Sequence, residues 1–234
     1  MKVAIVGASG AVGQEFLRVL ADRNFPVDEL LLFGSERSAG SFYEFGGERV
    51  QVKQLRHNDD FKGVDFALTS AGAGTSREFA ETITRHGAIM IDNSSAFRME
   101  PDVPLVVPEV NGRDALDAPR RIIANPNCTT IVTLVAINAL AKESPIETII
   151  ASSYQAVSGA GKGGIDELNN EVKALSEGKH LEPKVFQYQI AYNIIPQIGG
   201  EAFEGYTSEE MKMQNEGRKI MHLPELKVSC TCVR

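Results

Sequence analysis

Three glycines at three-residue intervals, Gly7, Gly10 and Gly13, follow the apolar run KVAIV and precede the helical pattern AVGQEFLRVLADR. Glycines between a buried strand and a helix permit a tight turn and close backbone approach, so that a pyrophosphate can rest on the first N–H groups of the helix. The spacing is G-x-x-G-x-x-G rather than the usual G-x-G-x-x-G. A glycine-rich turn that binds nothing therefore stays open as an alternative, but the strand–turn–helix unit itself is predicted.

Strand-like and helix-like segments alternate through the first half of the chain. The first helix is predicted to bury a stripe formed by Val12, Phe16, Val19 and Leu20. Strands separated by helices pair in parallel. We therefore predict an α/β fold, with a Rossmann-like doubly wound parallel sheet over residues 1–127. The further strands that we predict in it are ELLLFGS, VDFALTSA, AIMIDNSS, LVVPEV and RIIANPN.

The pattern changes after Asn127. A long apolar helix leads to a strand, a charged helix, an irregular segment, a Glu/Lys-rich helix and a final strand, LKVSCTCVR. This order is typical of an α+β domain, which we place at 128–234. Because the last strand ends the chain, we expect the domain to be incomplete.

Charge and cysteine content exclude several classes of protein. A formal net charge of −7 gives no general attraction for nucleic acid or anionic lipid. No apolar run approaches the length of a membrane span and no secretory signal opens the chain, so a cytoplasmic location is expected. The cysteines, Cys128, Cys230 and Cys232, are expected to be reduced thiols. A C-x-C pair without a second pair or a histidine cluster predicts no metal site.

The turn after the second predicted strand bears on the choice of nucleotide. NAD-preferring sites usually place a carboxylate there for the ribose 2′-hydroxyl. Here FGSERSAG offers Ser35, Arg37 and Ser38, which suit a 2′-phosphate, although Glu36 would reverse that preference if it pointed inward. The turn favours NADP over NAD, with a solvated turn as the alternative.

Cys128 follows Asn-Pro-Asn and opens an apolar helix. A cysteine of ordinary pKa is only about 3% thiolate at pH 7, and a helix N-terminus stabilises the thiolate. A buried structural cysteine is the alternative, but the polar amides of the preceding turn argue against burial. We therefore predict that Cys128 is a nucleophile.

Five motifs, GASGAVG, NSSAFRM, NPNCTT, QAVSGAGKGG and CVR, resemble those of the aspartate-β-semialdehyde dehydrogenase family, in the same order from Met1 to Arg234. The resemblance implies a reversible, NADPH-linked reductive dephosphorylation of L-aspartyl-4-phosphate to L-aspartate-4-semialdehyde, with release of phosphate. It also implies a place in lysine (through diaminopimelate), methionine and threonine synthesis, and a homodimer or homotetramer built through the second domain.

The resemblance also implies residue roles. Cys128 would form a thioacyl intermediate, and Gln155 would orient that intermediate or a water. Arg98 and Lys212 would bind the phosphate beside Asn93 and Asn127, Glu209 the substrate amine, and Arg234 its α-carboxylate. Ser9, Gly10, Ala11 and Val12 would form the cofactor phosphate loop, with Gly72, Ser158 and Gly159 near the nicotinamide.

These residue types suit a substrate with two anionic ends and one ammonium group. Arginines bind anions through two donors, and Glu209 and Lys212 are three residues apart on a helical pattern, so both can face one ligand. Without the resemblance, simpler alternatives remain: a surface ion pair for Glu209 and Lys212, a solvated loop position for Arg98, and a backbone hydrogen bond for Gln155.

The match has one departure. The family pattern continues past Arg234 as R-x-x-x-x-x-x-H, where the histidine is the general acid/base. The histidines of this chain, His57, His86, His180 and His222, lie outside that context and are expected to be ordinary surface or partly buried residues. The favoured expectation is a fragment of a longer enzyme. A naturally short nucleotide-binding relative that turns over poorly is the alternative, because general acid–base assistance contributes roughly 10²–10⁴ in rate.

Two related enzymes are less suitable interpretations. N-acetyl-glutamyl-phosphate reductase shares the acyl-phosphate chemistry, but its nucleophile context resembles PGCY rather than NPNCTT. An aldehyde dehydrogenase that uses no phosphate would leave Arg98 and Lys212 without a role.

Overall fold

The computed structural model describes all 234 residues, which form two compact units, Met1–Asn127 and Cys128–Arg234. The first unit contains a seven-stranded sheet, and the second contains a two-stranded parallel sheet and a short two-stranded antiparallel one. No helix in either unit has the length and apolar character needed to cross a membrane.

The sheet of the first unit is doubly wound around its first strand. Its strand order is β3-β4-β2-β1-β5-β6-β7, and every pair is parallel except β3 with β4. The chain leaves β1 towards β2 on one side and continues to β5 on the other. A ligand crevice is expected at such a switch point, beyond the carboxyl ends of the strands. The elements are β1 (Lys2–Val6), α1 (Ala11–Asp22), β2 (Glu29–Gly34), β3 (Phe42–Phe45), β4 (Glu48–Gln54), β5 (Phe66–Thr69), α2 (Ala73–Thr84), β6 (Ile89–Asp92), α3 (Pro108–Asn111) and β7 (Ile122–Ala124).

The core of the first unit centres on β1, whose residues from Val3 to Val6 are at most 2% exposed. Strands that are buried on both faces read as continuous apolar runs, as KVAIV does. The predicted stripe of α1 is partly wrong. Leu17 and Leu20 are buried and Phe16 packs against the core, whereas Val12 and Val19 are exposed.

Two segments differ from the predicted strands. The antiparallel hairpin of β3 and β4 was not predicted, and it lies at the edge of the sheet. LVVPEV, predicted as a strand, makes only an isolated bridge from Leu105 to Ala124. Pro108 then starts α3; proline is favoured in the first turn of a helix, where its missing N–H costs nothing.

The second unit is built on a parallel pair of strands. The final strand pairs with β8, with registers running from Lys227 opposite Thr148 to Val233 opposite Tyr154. The last strand of the chain thus pairs with the first strand of its own unit. The elements are α4 (Cys128–Ala141), β8 (Thr148–Tyr154), α5 (Gly161–Ser176), β9 (Glu201–Phe203), β10 (Tyr206–Thr207), α6 (Ser208–Ile220) and β11 (Lys227–Val233).

Candidate active site

Cys128 is the first residue of α4 and is exposed. The alternative of a buried structural cysteine does not hold for it. The other two cysteines, Cys230 and Cys232, are buried on β11, and burial raises the pKa of Cys230 to about 12, with Cys232 and Glu210 adding to the shift. The chain therefore has one accessible thiol, at the first residue of a helix.

Gln155 lies directly after β8, and its side chain contacts four others, of which Ser153 Oγ is the most distant at 3.4 Å from Nε2. Its Nε2 donates to Thr129 Oγ1 at 2.8 Å and to Glu209 Oε1 at 3.2 Å, while its Oε1 accepts from Arg234 Nη2 at 3.2 Å. A guanidinium only donates and a carboxylate only accepts, so these partners fix which way the amide points. The side chain of Gln155 is therefore the centre of a side-chain network and not a partner of the backbone alone.

Glu209 and Lys212 both lie on α6, and their Oε2 and Nζ atoms are 2.8 Å apart. A capping box fixes the start of this helix: Thr207 accepts from the main-chain N–H of Glu210, and the Glu210 carboxylate accepts from the main-chain N–H of Thr207. The other carboxylate oxygen of Glu210 accepts from the main-chain N–H of Cys232 at 3.0 Å. Glu210 thus attaches the helix that carries Glu209 to the strand that leads to Arg234.

Arg234 is aimed at Gln155 but keeps one donor without a partner: its Nε is buried and unbonded. The side chain lines a cavity of about 140 Å³ together with Phe186 and Ile195. Gly159 makes room for it, because a Cβ at that position would lie 2.5 Å from Arg234 Nη2. An arginine held in this way presents donors that an anionic group can use.

Arg98, in the first unit, is only 8% exposed, so it is not a solvated loop arginine. Its Nε donates to the carbonyl of Asn125 at 3.0 Å and its Nη2 to the carbonyl of Asn93 at 3.1 Å. The Asn125 amide in turn donates to Asn93 Oδ1 at 2.8 Å. Arg98 and Asn93 are thus brought together, with Asn125 as a link that sequence reasoning missed.

The buried carboxylate of Asp92 sets the loop that carries Asn93. Its Oδ1 accepts from Thr69 and Ser76, and its Oδ2 accepts from the Ser94 hydroxyl at 2.6 Å. Asn127, which is also buried, is the last residue of the first unit and precedes Cys128 in the chain.

The glycine turn after β1 is closely packed and open at its tip. Gly7 has φ of +89°, and a Cβ on it would lie 2.3 Å from the carbonyl oxygen of Ser70; a Cβ on Gly13 would lie 2.3 Å from the Gly7 carbonyl oxygen. Gly10 is the N-cap of α1 and no side chain caps the helix, so its first N–H groups are available to an anion. The exposed residues of the turn are Ser9, Gly10, Ala11 and Val12.

The remaining predicted cofactor residues lie in both units. Gly72, with φ of +87°, precedes α2 beyond β5, the neighbour of β1. After β2, the Ser38 hydroxyl donates to the Ser35 carbonyl at 3.1 Å and shapes a turn in which Arg37 is exposed. Ser158 and Gly159 lie in the second unit, in a 3₁₀ turn over residues 157–160.

Comparison with known proteins decides the family. The family model "semialdehyde dehydrogenase, NAD binding domain" matches residues 2–118, and the model "semialdehyde dehydrogenase, dimerisation domain" matches residues 137–234. An aspartate-semialdehyde dehydrogenase of Aquifex aeolicus is 53% identical over 100% of this chain and 69% of its own length, and that of Bacillus subtilis is 47% identical over the same shares. The chain belongs to the aspartate-semialdehyde dehydrogenase family.

Solved structures of family members agree with this fold. Aspartate-semialdehyde dehydrogenase II of Vibrio cholerae, crystallised in complex with ASA, superposes with a TM-score of 0.97 at 48% identity, over 100% of this chain and 69% of that one. A probable aspartate-semialdehyde dehydrogenase of Pseudomonas aeruginosa superposes with a TM-score of 0.90 at 28% identity, over 100% of this chain and 70% of that one. The predicted family and the α/β fold class are confirmed, and the N-acetyl-glutamyl-phosphate reductase interpretation finds no support. As a member of this family, the chain is an oxidoreductase that acts on small molecules with a nicotinamide dinucleotide.

Within the family framework, the histidines take ordinary places. The His57 ring stacks on Phe79, and its Nδ1 is 2.7 Å from Thr82 Oγ1. His86 contacts Asp59, and that contact lowers the pKa of the Asp59 carboxyl. His180 and His222 are exposed.

Sequence reasoning missed Asn125, Glu210 and Asp92 as supporting residues. For Glu210 a signal existed, since T-x-x-E before a helical pattern is a capping box. For the others the contacts depend on the fold.

Proposed function

We propose that this chain carries the cysteine centre that reduces L-aspartyl-4-phosphate to L-aspartate-4-semialdehyde with NADPH, in the synthesis of lysine, methionine and threonine. The observation that carries the proposal is the position of Cys128, which is exposed at the start of α4. Its neighbour Thr129 accepts a hydrogen bond from the Gln155 amide. A nucleophile at a helix start, next to an amide locked by charged partners, suits acyl transfer through a thioester.

The cofactor assignment depends on the glycine turn. Gly7 and Gly13 let the turn pack against main-chain atoms that a Cβ would meet at 2.3 Å, and Ser9, Gly10, Ala11 and Val12 are exposed at the start of α1. This cradle suits the pyrophosphate of NADP. The exposed Arg37, with Ser35 and Ser38 in the same turn, suits a 2′-phosphate, and Gly72, Ser158 and Gly159 are assigned to the nicotinamide by the family resemblance.

The chemistry is an acyl transfer followed by a reduction. The Cys128 thiolate adds to the acyl carbon of aspartyl phosphate, the carbon–oxygen bond to phosphate breaks, and inorganic phosphate leaves with that electron pair. A thioester on Cys128 remains. When bound, NADPH supplies a hydride. After hydride addition to the thioester carbon, the carbon–sulfur bond breaks, which gives the aldehyde and returns the Cys128 thiolate.

The substrate ends have complementary groups. We assign the α-carboxylate to Arg234, whose buried Nε has a donor to spare beside a cavity, and the α-ammonium to the nearly buried Glu209. Lys212 and Arg98 are assigned to the phosphate, with Asn93 and Asn127. A charged group in a partly buried site interacts more strongly than in water, so these groups can orient a small, highly charged substrate.

The partner is proposed to be a second copy of the chain, giving a homodimer or a homotetramer. One face of the β8–β11 sheet is exposed along its length, with Ile150 84% and Tyr154 80% exposed. An exposed sheet face that carries these two large side chains among polar ones, in a unit that matches a dimerisation-domain model, suits a self-complementary contact. We place the activity in the cytoplasm, in keeping with Cys230 and Cys232, whose Sγ atoms are 3.5 Å apart without a disulfide.

A single-turnover experiment tests the function. The chain is mixed with L-aspartate-4-semialdehyde and NADP without phosphate, and NADPH absorbance and intact mass are recorded. The reverse half-reaction should give one equivalent of NADPH and an aspartyl adduct on Cys128, which added phosphate releases. Cys128→Ala should give neither product. NADPH formation that survives Cys128→Ala would show that the proposal is wrong.

A further inference from the structure

The segment 184–191 contains no helix or strand, and a carboxylate of α5 supplies acceptors for its main chain. Glu167 Oε2 accepts from the main-chain N–H groups of Lys184 and Val185 at 2.8 and 2.7 Å, and its Oε1 accepts from that of Phe186 at 3.0 Å. Main-chain N–H groups outside helices and strands need partners from elsewhere. One side chain therefore fixes three consecutive residues of this segment.

Two of these three residues form a wall of the cavity that Arg234 lines. Val185 and Phe186 both contribute to the lining. The Phe186 ring also lies against α5, since a Cβ on Gly164 would be 3.0 Å from its Cζ. The wall of the cavity is thus attached to α5 through its main chain and through a side chain.

Arg234 has an attachment of its own, which does not involve α5. Its main-chain carbonyl accepts from the N–H of Ile195 at 2.6 Å, and its N–H donates to the Ile195 carbonyl at 3.0 Å. The loss of the bonds to Glu167 would therefore release the wall that faces the guanidinium while the arginine main chain stays paired.

We propose that Glu167 is a positioning residue for the anion site of Arg234. By holding Val185 and Phe186, it sets the space that the carboxylate end of a substrate can occupy. The inference rests on the proposed function, which assigns the α-carboxylate to Arg234. A cavity whose wall is already in place binds its ligand without the cost of ordering that wall. Glu167 therefore contributes to affinity for this end of the substrate and not to the chemistry at Cys128.

Glutamine at position 167 cannot keep all three hydrogen bonds. A carboxylate accepts on both oxygens, whereas a carboxamide accepts on one side and donates from the other. In Glu167→Gln the amide nitrogen faces either the N–H of Phe186 or those of Lys184 and Val185. Each orientation releases a residue that lines the cavity.

Glu171 is the matched control, one helical turn further along α5. Its Oε2 accepts from the main-chain N–H groups of Ile190 and Ala191 at 2.9 and 2.8 Å, and its Oε1 is buried without a hydrogen bond. Glu171→Gln removes the same charge from the same face of the helix, but its single amide oxygen can keep both bonds. Neither Ile190 nor Ala191 lines the cavity.

The test is protection of Cys128 from iodoacetamide by L-aspartate-4-semialdehyde, compared with protection by 3-aminopropanal, which lacks the α-carboxylate. A wall that moves lowers the fraction of molecules with a formed cavity, and the apparent affinity falls by the same factor. For the loss of one partly exposed hydrogen bond, the half-protecting concentration of the semialdehyde should rise about fivefold in Glu167→Gln. Glu171→Gln should protect like the parent. The half-protecting concentration of 3-aminopropanal should be the same in all of these proteins.

Phe186→Ala gives a second measurement that leaves Glu167 unchanged. It removes the ring from the wall, so it should also raise the half-protecting concentration of the semialdehyde and leave that of 3-aminopropanal as it is in the parent. Thermal unfolding of each variant sets an assay temperature at which all of them are folded.

The outcomes separate the two proposals. Weaker protection by the semialdehyde alone, in Glu167→Gln and Phe186→Ala but not in Glu171→Gln, supports the inference. Parent-like protection in Glu167→Gln or in Phe186→Ala overturns it and leaves the function intact, as does an equal loss in Glu171→Gln or with 3-aminopropanal. A parent in which the semialdehyde neither protects Cys128 nor forms an aspartyl adduct with NADP present overturns the proposed function and the inference together.

Discussion

Replacing Gly159 by alanine tests whether Arg234 is held in place to receive an anion. A Cβ at this position would lie 2.5 Å from Arg234 Nη2 and 3.4 Å from its Cζ, and its three nearest neighbours all belong to that guanidinium. No main-chain atom obstructs the methyl group more closely, so the arginine head has to move while the fold stays in place.

The size of the effect follows from these distances. To reach ordinary contact, Nη2 has to retreat by about 1 Å, which breaks its 3.2 Å bond to Gln155. A guanidinium displaced by this much also loses its hydrogen bond to a bound carboxylate, which costs about 1.5–3 kcal/mol and corresponds to roughly 10- to 150-fold weaker binding. The loss of the bond to Gln155 lowers the stability of the unliganded fold by a similar amount, and the gain of about 0.4–1 kcal/mol that Gly→Ala gives through the unfolded chain offsets part of it. The free energy of unfolding should therefore fall by about 0.5–2.5 kcal/mol.

The assay is protection of Cys128 from iodoacetamide by L-aspartate-4-semialdehyde, with thermal unfolding measured alongside. The half-protecting concentration should rise at least about tenfold in Gly159→Ala. Gly163→Ala is the control, since its Cβ would meet only Val185 Cγ2 as near as 3.4 Å. In an Arg234→Lys background, Gly159→Ala should add nothing. The reasoning fails if Gly159→Ala protects like the parent, or weakens protection equally with lysine at position 234.

Three further changes test the framework. Arg98→Ala leaves two main-chain carbonyls without their donor and should cost about 2–4 kcal/mol in urea unfolding; an unchanged midpoint would contradict this. Gly13→Ala puts a Cβ 2.3 Å from a carbonyl oxygen, whereas the Cβ of Gly10→Ala would be 3.3 Å from one. Gly13→Ala should therefore lose about 1–3 kcal/mol of unfolding free energy and most of its NADPH affinity. Equal losses in the two variants would refute the packing argument. Burial raises the pKa of Glu167, but main-chain N–H groups of residues 184–186 lower it to a net value below 4.5. Its carboxylate therefore stabilises the fold above pH 4.5 and loses this effect as the pH falls through the lowered value. Glu167→Gln should be less stable than the parent at pH 7 but equal to it in acid, and a difference that persists in acid would count against that sign.

The parallel strands were predictable because burial on both faces forces continuous apolar runs, which have no other common explanation in a chain with helices between them.

The buried face of α1 was wrongly predicted because the prediction relied on Val12 and Val19 and left out Gly13. A Cβ on Gly13 would lie 2.7 Å from the Ala8 Cα, so Gly13 marks the side of the helix that faces the sheet. Leu17 and Leu20 follow it at four and seven residues, on the same side.

The edge hairpin escaped prediction for a different reason. Glu48–Gln54 carries three charged side chains among its seven residues, and Phe42–Phe45 carries a glutamate among aromatic residues, so neither strand reads as a continuous apolar run. The Gly46–Gly47 pair between them, with φ of +60° and +85°, was the available signal, because a two-residue turn with positive φ is typical of hairpins.

The residues of the candidate site also fall into those that the sequence could predict and those that it could not. The residues that resemblance to the family supplies are those assigned to a ligand, and their types suit the charges of the proposed substrate. The residues that hold them in place were not predictable, because their contacts join positions 26, 54 and 79 residues apart in the chain. Such contacts depend on the path of the fold, which no local pattern records.

Gln155 shows why the holding residues matter as much as those that face the ligand. An amide can be turned around at little cost unless its partners differ in kind, and here an arginine on one side and a carboxylate on the other make the two orientations unequal. Each of these partners is also assigned to one end of the substrate. A substrate that engages Arg234 and Glu209, as proposed, would therefore act on the same two groups that orient the amide. The groups assigned to the substrate ends are thus also the groups that hold Gln155 in place.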